Sequence, residues 1–438
     1  MKTRFDHRGL IGLIAAALCT AAGAQGIEGG NNMATRASID VHIPRVMQNV
    51  GSVATVVSRF QAKDSAAVTS SATALPSVAT KNYPSGTLVV SESLPLWTFD
   101  IKGSRDGDHH QGTMVGGDPF RNPGTSKVAT YILPLVFRTH TIATHFDPNA
   151  NGGFGGLSTK PGETTIDPTR ADATCMAAPN DTPSKVFEQS PIFNAPPKPF
   201  VFGGQTIGAT QYVDAFQRSN FWRLSNIKNY HVLLDPVVTL PAIVIDVPAT
   251  AGIALTNPEL FGGGFLFCAP MLLVDVNWLD SYLNGTVLEK LQEEGVNPGN
   301  LPLYLSYNTA FPIGDVTNLG NCCAIGYHGT TGTPLPLQTY AVVDFDTTEF
   351  FLPAKNGVPP GLNTEVAAHE VGEWMNDPLI SNETAPWGGT GQVAGCQANL
   401  EVGDPLSGTD VVPVTMPNGF TYNLQELAFF SWFFGAPS

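Results

Sequence analysis

One short run of the sequence carries histidine and glutamate at a spacing that suits metal chemistry. His369, Glu370 and Glu373 lie between Asn363 and Thr364, either of which can cap a helix, and Pro378, which ends one. Residues four positions apart share a helix face, so His369 and Glu373 can hold one ion together. Glu370 lies one position round the helix, where it can reach a water molecule on that ion. The spacing predicts metal-assisted hydrolysis with Glu370 as the general base.

The pattern is that of the HExxH helix of zincins, with Glu373 in place of the second histidine. One histidine and two carboxylates around a divalent ion make a formally neutral site, whereas two histidines and one carboxylate leave it positive. We therefore expect a weaker attraction for a substrate carbonyl. Zn²⁺ is the expected ion, and Mn²⁺ or Ca²⁺ are alternatives because carboxylate-rich sites favour harder cations.

A third ligand has to come from outside the His369–Glu373 pair. Asp377 lies eight residues after His369, about 12 Å along a continuous helix, which is too far for a shared ion. Glu401 is the better candidate, as a distant carboxylate that folds back onto the helix. Asp404 could orient His369 by accepting a hydrogen bond from the ring nitrogen that does not bind the metal. Asp377 then either stabilises the end of the helix or makes a hydrogen bond to one of the metal ligands without binding the ion itself.

The same stripe of polar residues could be only the solvated face of a helix. Two features favour the metal site instead. Ala368 and Gly372 are small enough to let another element pack closely on this helix, and a Glu-x-x-Asp segment follows at Glu401 and Asp404.

These residues resemble a known family, the phosphate-induced/EXORDIUM-like secreted proteins, over roughly residues 300–405. The similar segments are His369-Glu370-Val371-Gly372-Glu373, Asp377-Pro378-Leu379, Trp387, Glu401-Val402-Gly403-Asp404 and Cys323-Ala324-Ile325-Gly326-Tyr327-His328. The resemblance implies an exported zincin-like domain with His369, Glu373 and Glu401 as ligands and Glu370 as base. Cys322-Cys323 is doubled here and no cysteine follows the Glu-Val-Gly-Asp segment, so the disulfide pattern of the family does not transfer.

The N-terminus has the pattern of a secretory signal peptide. Basic residues precede an apolar run at 10–18, and small residues lead to Ala24. We expect cleavage after Ala24 and therefore a secreted or periplasmic protein. Export favours disulfides. Loss of Cys19 with the leader leaves five cysteines, which predicts two bridges and one free thiol.

The composition limits the class of protein. A formal net charge of −15 argues against nucleic acid as a partner. The apolar runs at 10–18 and 427–434 are too short to span a membrane, and we expect the second to be a buried closing segment. The many glycines and prolines argue for turns and extended segments rather than coiled coils.

The elements around the metal helix are predicted from apolar periodicity. Residues 210–222 have helical spacing, and 242–247, 271–276, 301–307 and 340–345 are apolar runs typical of strands. Residues 102–127 are rich in Gly, Asp, His and Asn, which predicts a loop. We expect an α+β fold: a leader at 1–24, a β- and loop-rich region at 25–199, and a zincin-like domain at 200–438 with a mixed sheet and the active-site helix.

Three functions follow from these expectations. The first is an exported metal-dependent hydrolase, a metallopeptidase-like protein acting on a peptide or protein. The second is a non-catalytic cell-surface or matrix protein that keeps the zincin-like fold. The third is a structural Ca²⁺ site, which needs more than three converging oxygen ligands.

Overall fold

The computed structural model describes the backbone of residues 38–42 and residues 94–121, 123–172, 174–175, 181–202, 204–222, 229–257, 260–261, 268–331, 337–348, 350–351, 361–408 and 411–435. The strands are β1 (Ser38–His42), β2 (Leu96–Lys102), β3 (His109–Val115), β4 (Thr125–Asp147), β5 (Gly156–Ile166), β6 (Phe200–Phe202), β7 (Gln205–Gly208), β8 (His231–Thr239), β9 (Ile243–Val247), β10 (Gly252–Leu255), β11 (Met271–Val274), β12 (Leu301–Tyr307), β13 (Thr309–Ala310), β14 (Gly326–Thr331), β15 (Gln338–Phe345), β16 (Glu383–Thr390), β17 (Val393–Asn399), β18 (Val411–Thr415) and β19 (Thr421–Gln425).

The helices are shorter and lie among these strands. Besides a single turn at Ala150–Gly153, they are α1 (Pro183–Glu188), α2 (Tyr212–Asn220), α3 (Val276–Tyr282), α4 (Leu288–Glu293), α5 (Glu365–Asn376) and α6 (Phe430–Phe434). A π-helical segment, Leu283–Val287, joins α3 to α4, and 3₁₀ turns occur at Leu319–Asn321 and Asp404–Leu406.

One mixed sheet forms the centre of the fold. Its order is β1-β14-β15-β12-β4-β10-β11-β13, and β5, β8 and β9 pair with β4 as well. β4 spans 23 residues, so different strands pair with it at successive points along its length. β12 is parallel to both β4 and β15, whereas β14 is antiparallel to β15. The expected α+β class with a mixed sheet is therefore present.

The strands predicted from apolar runs are confirmed as β9, β11, β12 and β15, and the helical spacing at 210–222 is confirmed as α2. Every residue of β12 and β15 is buried. Strands that are covered on both faces have continuous apolar runs rather than alternating apolar and polar residues. These two strands could therefore be predicted from the sequence.

The border predicted between residues 199 and 200 does not separate two sheets. β4, from the first region, pairs with β8, β9, β10 and β12, which all come from the second. The proline-rich stretch at 191–199 connects α1 to β6 and does not mark the edge of a separate sheet. The loop predicted at 102–127 is wrong over β3, which forms a hairpin with β2.

The aromatic C-terminal segment is buried, as expected. Phe433 and Phe434 of α6 are fully buried, and the Phe434 ring lies 5.8 Å from that of Phe99 in β2. The Phe433 ring lies 5.4 Å from that of Trp387 in β16. In the described residues, none of the helices has both the length and the apolar character needed to cross a membrane.

Two disulfides join described cysteines. One links Cys175 to Cys268, which are 93 residues apart, and the other links the adjacent Cys322 and Cys323. Cys396 is disulfide-bonded too. The expected free thiol is therefore absent from the part of the chain that the structure describes. Cys19, expected to leave with the leader, and the leader itself lie outside the described residues.

Candidate metal centre

The predicted metal helix is present as α5, and all of its residues are buried. It packs against β14 and β15 of the central sheet and against β19. Asp377 leaves the helical conformation directly before Pro378, as the sequence predicted. Since His369, Glu370 and Glu373 are fully buried, the alternative of a solvated helix face is wrong.

Gly326 allows β14 to lie unusually close to α5. A Cβ atom at this position would lie 2.5 Å from Val366 Cγ1 and 2.9 Å from Glu370 Cγ. Real side chains do not tolerate such distances, so only glycine fits between the strand and the helix. The close approach brings His328, two residues further along β14, against the carboxylates of the helix.

Glu373 is held by the loop that follows β17. Its Oε1 accepts hydrogen bonds from the backbone N–H groups of Gly403, at 2.9 Å, and Asp404, at 3.2 Å. Its Oε2 lies 3.0 Å from His369 Nε2. The two backbone donors therefore fix the carboxylate so that its second oxygen faces the imidazole.

The orientation of His369 is set by Gln425 at the end of β19. Gln425 Nε2 donates to the Gly403 carbonyl at 2.6 Å, which leaves Gln425 Oε1 as the acceptor 3.0 Å from His369 Nδ1. The proton of the neutral imidazole is then on Nδ1. Its Nε2 lone pair points at Glu373 Oε2, which is the arrangement that a metal-binding histidine adopts.

Gly403 packs directly on the His369 ring. A Cβ atom on Gly403 would lie 2.4 Å from His369 Nδ1 and 2.5 Å from its Cγ. A larger residue would displace the imidazole from Gln425. This contact gives a physical reason for a glycine at the third position of the Glu401-Val402-Gly403-Asp404 segment.

His328 is a site residue for which no metal role was predicted from spacing. It is fully buried, and its Nδ1 lies 3.3 Å from Glu370 Oε2 and 3.8 Å from Glu373 Oε2. Glu401 lies at the other edge of the ring, with Oε2 at 4.0 Å from His328 Nε2. The imidazole thus lies among three carboxylates.

The structure exchanges the expected positions of Glu401 and Asp404. Asp404 Oδ1 lies 3.7 Å from His369 Nε2, on the face where a metal would bind, while its Oδ2 accepts from Gln397 Nε2 at 2.7 Å. Glu401 accepts from Asn399 Nδ2 at 2.6 Å and faces His328. The role expected for Asp404, the hydrogen bond behind His369, belongs to Gln425. Asp404 is three residues beyond Glu401, and the turn at Gly403 points it back to the helix.

Asp377 is a helix-end group. Its two carboxylate oxygens accept hydrogen bonds from the backbone N–H groups of Ser381, at 2.9 Å, and Asn382, at 3.0 Å. These bonds hold the turn between α5 and β16. This is the first of the two roles that the sequence left open for Asp377.

The site contains two groups of residues whose donor atoms lie within 4.8 Å of one another: His369, Glu373 and Asp404 form one, and His328, Glu370 and Glu373 form the other. Ligands about 2.1 Å from a tetrahedral ion are separated by about 3.4 Å. The measured separations scatter around that value, so both groups have the dimensions of a metal site. Glu373 is common to both.

Local sequence patterns contain little that identifies His328 or Gln425. His328 had two weak signals, its closeness to the Cys322-Cys323 pair and its place in the resembling segment. Its position in a strand that pairs next to β15 could have placed it near the helix. Gln425 is one of many neutral polar residues, and only its position at the end of β19 gives it a role.

No family model matches the chain, and neither does any curated protein or solved structure. The resemblance to the phosphate-induced/EXORDIUM-like family therefore stays a prediction. The function has to be argued from the geometry of the site.

Proposed function

We propose that the chain is a metal-dependent hydrolase with a zincin-like site, in which His369, Glu373 and Asp404 hold a divalent ion. The observation that supports this most is the 3.0 Å separation of His369 Nε2 from Glu373 Oε2. With the imidazole proton on Nδ1, a lone pair faces a carboxylate oxygen across this gap. Two acceptors at this distance repel unless a positive group lies between them.

Glu370 supplies the proton transfer in this proposal. The bound ion provides a Lewis acid for a substrate carbonyl. Glu370 follows His369 directly and takes the proton of the attacking water, as the equivalent glutamate does in HExxH helices. Glu370 then passes the proton to the leaving group, and His328 Nδ1, 3.3 Å from Glu370 Oε2, helps to hold this carboxylate in place. The proposed substrate class is a peptide or protein, and the signal-peptide pattern expected at the N-terminus supports a reaction outside the cytoplasm.

The ligand set favours Zn²⁺ over Ca²⁺. Imidazole nitrogen suits zinc, whereas calcium takes six to eight oxygen ligands. The two histidines at the centre of the site therefore count against the structural calcium alternative. Mn²⁺ stays an alternative, because carboxylates bind it readily.

A second candidate is a non-catalytic protein in which the ion only stabilises the fold. The observation that favours it is burial, because the six side chains of the site are between 0% and 2% exposed. A substrate carbonyl can reach such a centre only after a neighbouring segment moves. A buried ion that never meets substrate would still tie α5 to β14 and to the Glu401–Asp404 loop.

Metal analysis and peptide hydrolysis of the purified full chain separate these candidates. The hydrolase proposal predicts a stoichiometric divalent metal and peptide cleavage that Glu370→Gln abolishes. Glu365→Gln, on the same helix and equally buried, is the control and should keep activity. Metal without cleavage in the unmodified chain would favour the structural candidate. A chain purified without metal, and unable to take up Zn²⁺ or Mn²⁺, would overturn both.

A further inference from the structure

We infer that the centre holds two ions rather than one, with Glu373 as the carboxylate that bridges them. The inference rests on the proposed ion at His369 and adds a second site made of His328, Glu370 and Glu373. The donor atoms of the second group, like those of the first, lie within 4.8 Å of one another.

The position of Glu373 Oε2 supports a carboxylate shared by two ions. Glu373 Oε2 lies 3.0 Å from His369 Nε2 and 3.8 Å from His328 Nδ1, so it lies between two imidazoles. Those imidazoles come from different elements, α5 and β14. An oxygen held at this point by the Gly403 and Asp404 backbone can ligate an ion on each side.

The two halves of the centre have matching donor sets. On one side are His369 and Asp404, with the imidazole and carboxylate 3.7 Å apart. On the other are His328 and Glu370, 3.3 Å apart. Each ion would therefore have one imidazole, one carboxylate of its own and the shared Glu373. Sites with two ions a few ångströms apart are a recurring arrangement in hydrolases.

Glu401 lies at the edge of the His328 ring opposite the proposed second ion. The Glu401 carboxylate is held by Asn399 and lies toward His328 Nε2, at 4.0 Å. With an ion bound at Nδ1, the ring proton would be on Nε2, at the edge that faces the Glu401 carboxylate. A carboxylate at that edge of a metal-binding histidine is a common arrangement.

A second ion does not remove the role proposed for Glu370. A carboxylate that binds an ion through one oxygen keeps the other as a proton acceptor. Glu370 Oε2 faces His328, so Oε1 is the oxygen that can take the proton from water.

The test is the metal stoichiometry of the full chain loaded with Mn²⁺ or Zn²⁺ and freed of excess ion. We expect two ions per chain, and one in His328→Gln. His110→Gln is the matched control, a buried histidine that pairs with Asp106 outside the centre, and it should keep both ions. One ion in the unmodified chain overturns this inference and leaves the proposed function standing. No ion at all overturns the proposed function as well.

Electron paramagnetic resonance of the Mn²⁺ protein gives a readout that does not depend on the folding of a variant. Two Mn²⁺ ions that share a carboxylate oxygen couple magnetically, so we expect a broadened spectrum in the fully loaded, unmodified chain. The resolved hyperfine pattern of isolated Mn²⁺ at full loading would show that the ions are not neighbours, and would contradict a bridging Glu373.

Discussion

His369 is positioned by contacts on three sides: Glu373 at Nε2, Gln425 at Nδ1 and Gly403 against the face of the ring. The partners come from α5, β19 and the loop after β17. Each fixes a different degree of freedom of the imidazole, so the ring has one orientation available. This pre-arrangement lowers the reorganisation that metal binding would need.

Replacing Gly403 by alanine should therefore damage the centre. A Cβ atom 2.4 Å from His369 Nδ1 forces the ring or the loop to shift, and overpacking of this kind costs about 1–3 kcal/mol of unfolding free energy. We expect lower stability in denaturant and reduced metal content in Gly403→Ala. Gly395→Ala is the control, because a Cβ there meets no atom within 4 Å. Equal metal content in the two variants would contradict this account of Gly403.

Asp344 is a second residue whose surroundings make a measurable prediction. It is fully buried at the end of β15, where its Oδ1 accepts from Ser306 Oγ at 2.7 Å and from the Thr309 N–H at 2.9 Å. Burial, and then repulsion by the neighbouring Asp346, raises the pKa of Asp344 well above its ordinary value of 3.8. The folded chain therefore keeps a proton that the unfolded chain loses.

The stability that this proton contributes is fully present below the unfolded pKa, near pH 4, and is lost as the pH rises toward the folded pKa. The slope from one such group is at most about 1.4 kcal/mol per pH unit. Asp344→Asn keeps the Oδ1 acceptor and does not titrate, so it should flatten this part of the stability curve and raise stability at neutral pH. Denaturant titrations between pH 4 and 8 measure this. Asp108→Asn, an exposed change, should run parallel to the unmodified chain, and a parallel Asp344→Asn curve would refute the prediction.

At the scale of elements, the distance between α5 and β14 decides whether the site exists. The helix contributes His369, Glu370 and Glu373, while the strand contributes His328. Gly326 sets the separation, because a Cβ there would also lie 3.0 Å from the Val342 carbonyl oxygen in β15. The strand is therefore confined between the helix and its neighbour in the sheet.

Gly326→Ala should push β14 away from the helix. We expect a loss of about 1–3 kcal/mol in unfolding free energy, together with weaker metal binding because His328 moves from Glu370. Gly285→Ala, in the π-helical segment after α3, should instead raise the unfolding free energy. A Cβ there meets nothing within 4 Å, and alanine stabilises helical positions relative to glycine by about 0.4–1 kcal/mol. The unfolding temperatures of the two variants test both predictions. A lower unfolding temperature in Gly285→Ala would contradict the open space around that position.

At the scale of the whole molecule, the central sheet and one long-range disulfide join distant parts of the chain. β4 is paired with strands from much later in the sequence. Cys175 and Cys268 connect the segment after β5 to the segment before β11, and both are half-buried. A crosslink of this kind acts mainly by restricting the unfolded chain.

Removing the Cys175–Cys268 bridge should lower stability substantially. For a loop of 93 residues, the chain-entropy estimate is about 4–5 kcal/mol. We expect the double variant Cys175→Ala/Cys268→Ala to unfold at a clearly lower temperature. The double variant Cys322→Ala/Cys323→Ala removes a bridge between adjacent residues, which restricts almost no chain, and should lose much less. Equal losses in the two double variants would show that chain entropy is not the main term.

The sequence alone determined the features that depend on near neighbours. The bounds of α5, the shared face of His369 and Glu373, and the buried strands β12 and β15 follow from spacing within a few residues. The burial of the C-terminal aromatic segment followed from its composition and length. These features can be predicted because helix and strand periodicity are local properties of the chain.

Only the tertiary structure decided which distant residues complete the site. His328 comes from β14, Gln425 from the end of β19, and Asp404 rather than Glu401 faces His369. The single sheet across residue 200 was decided in the same way, by strand pairing. Such contacts depend on how elements that are distant in the sequence pack together, and short-range residue patterns do not determine this packing. The helix that carries His369, Glu370 and Glu373 could therefore be predicted from the sequence, whereas the distant residues around it could not.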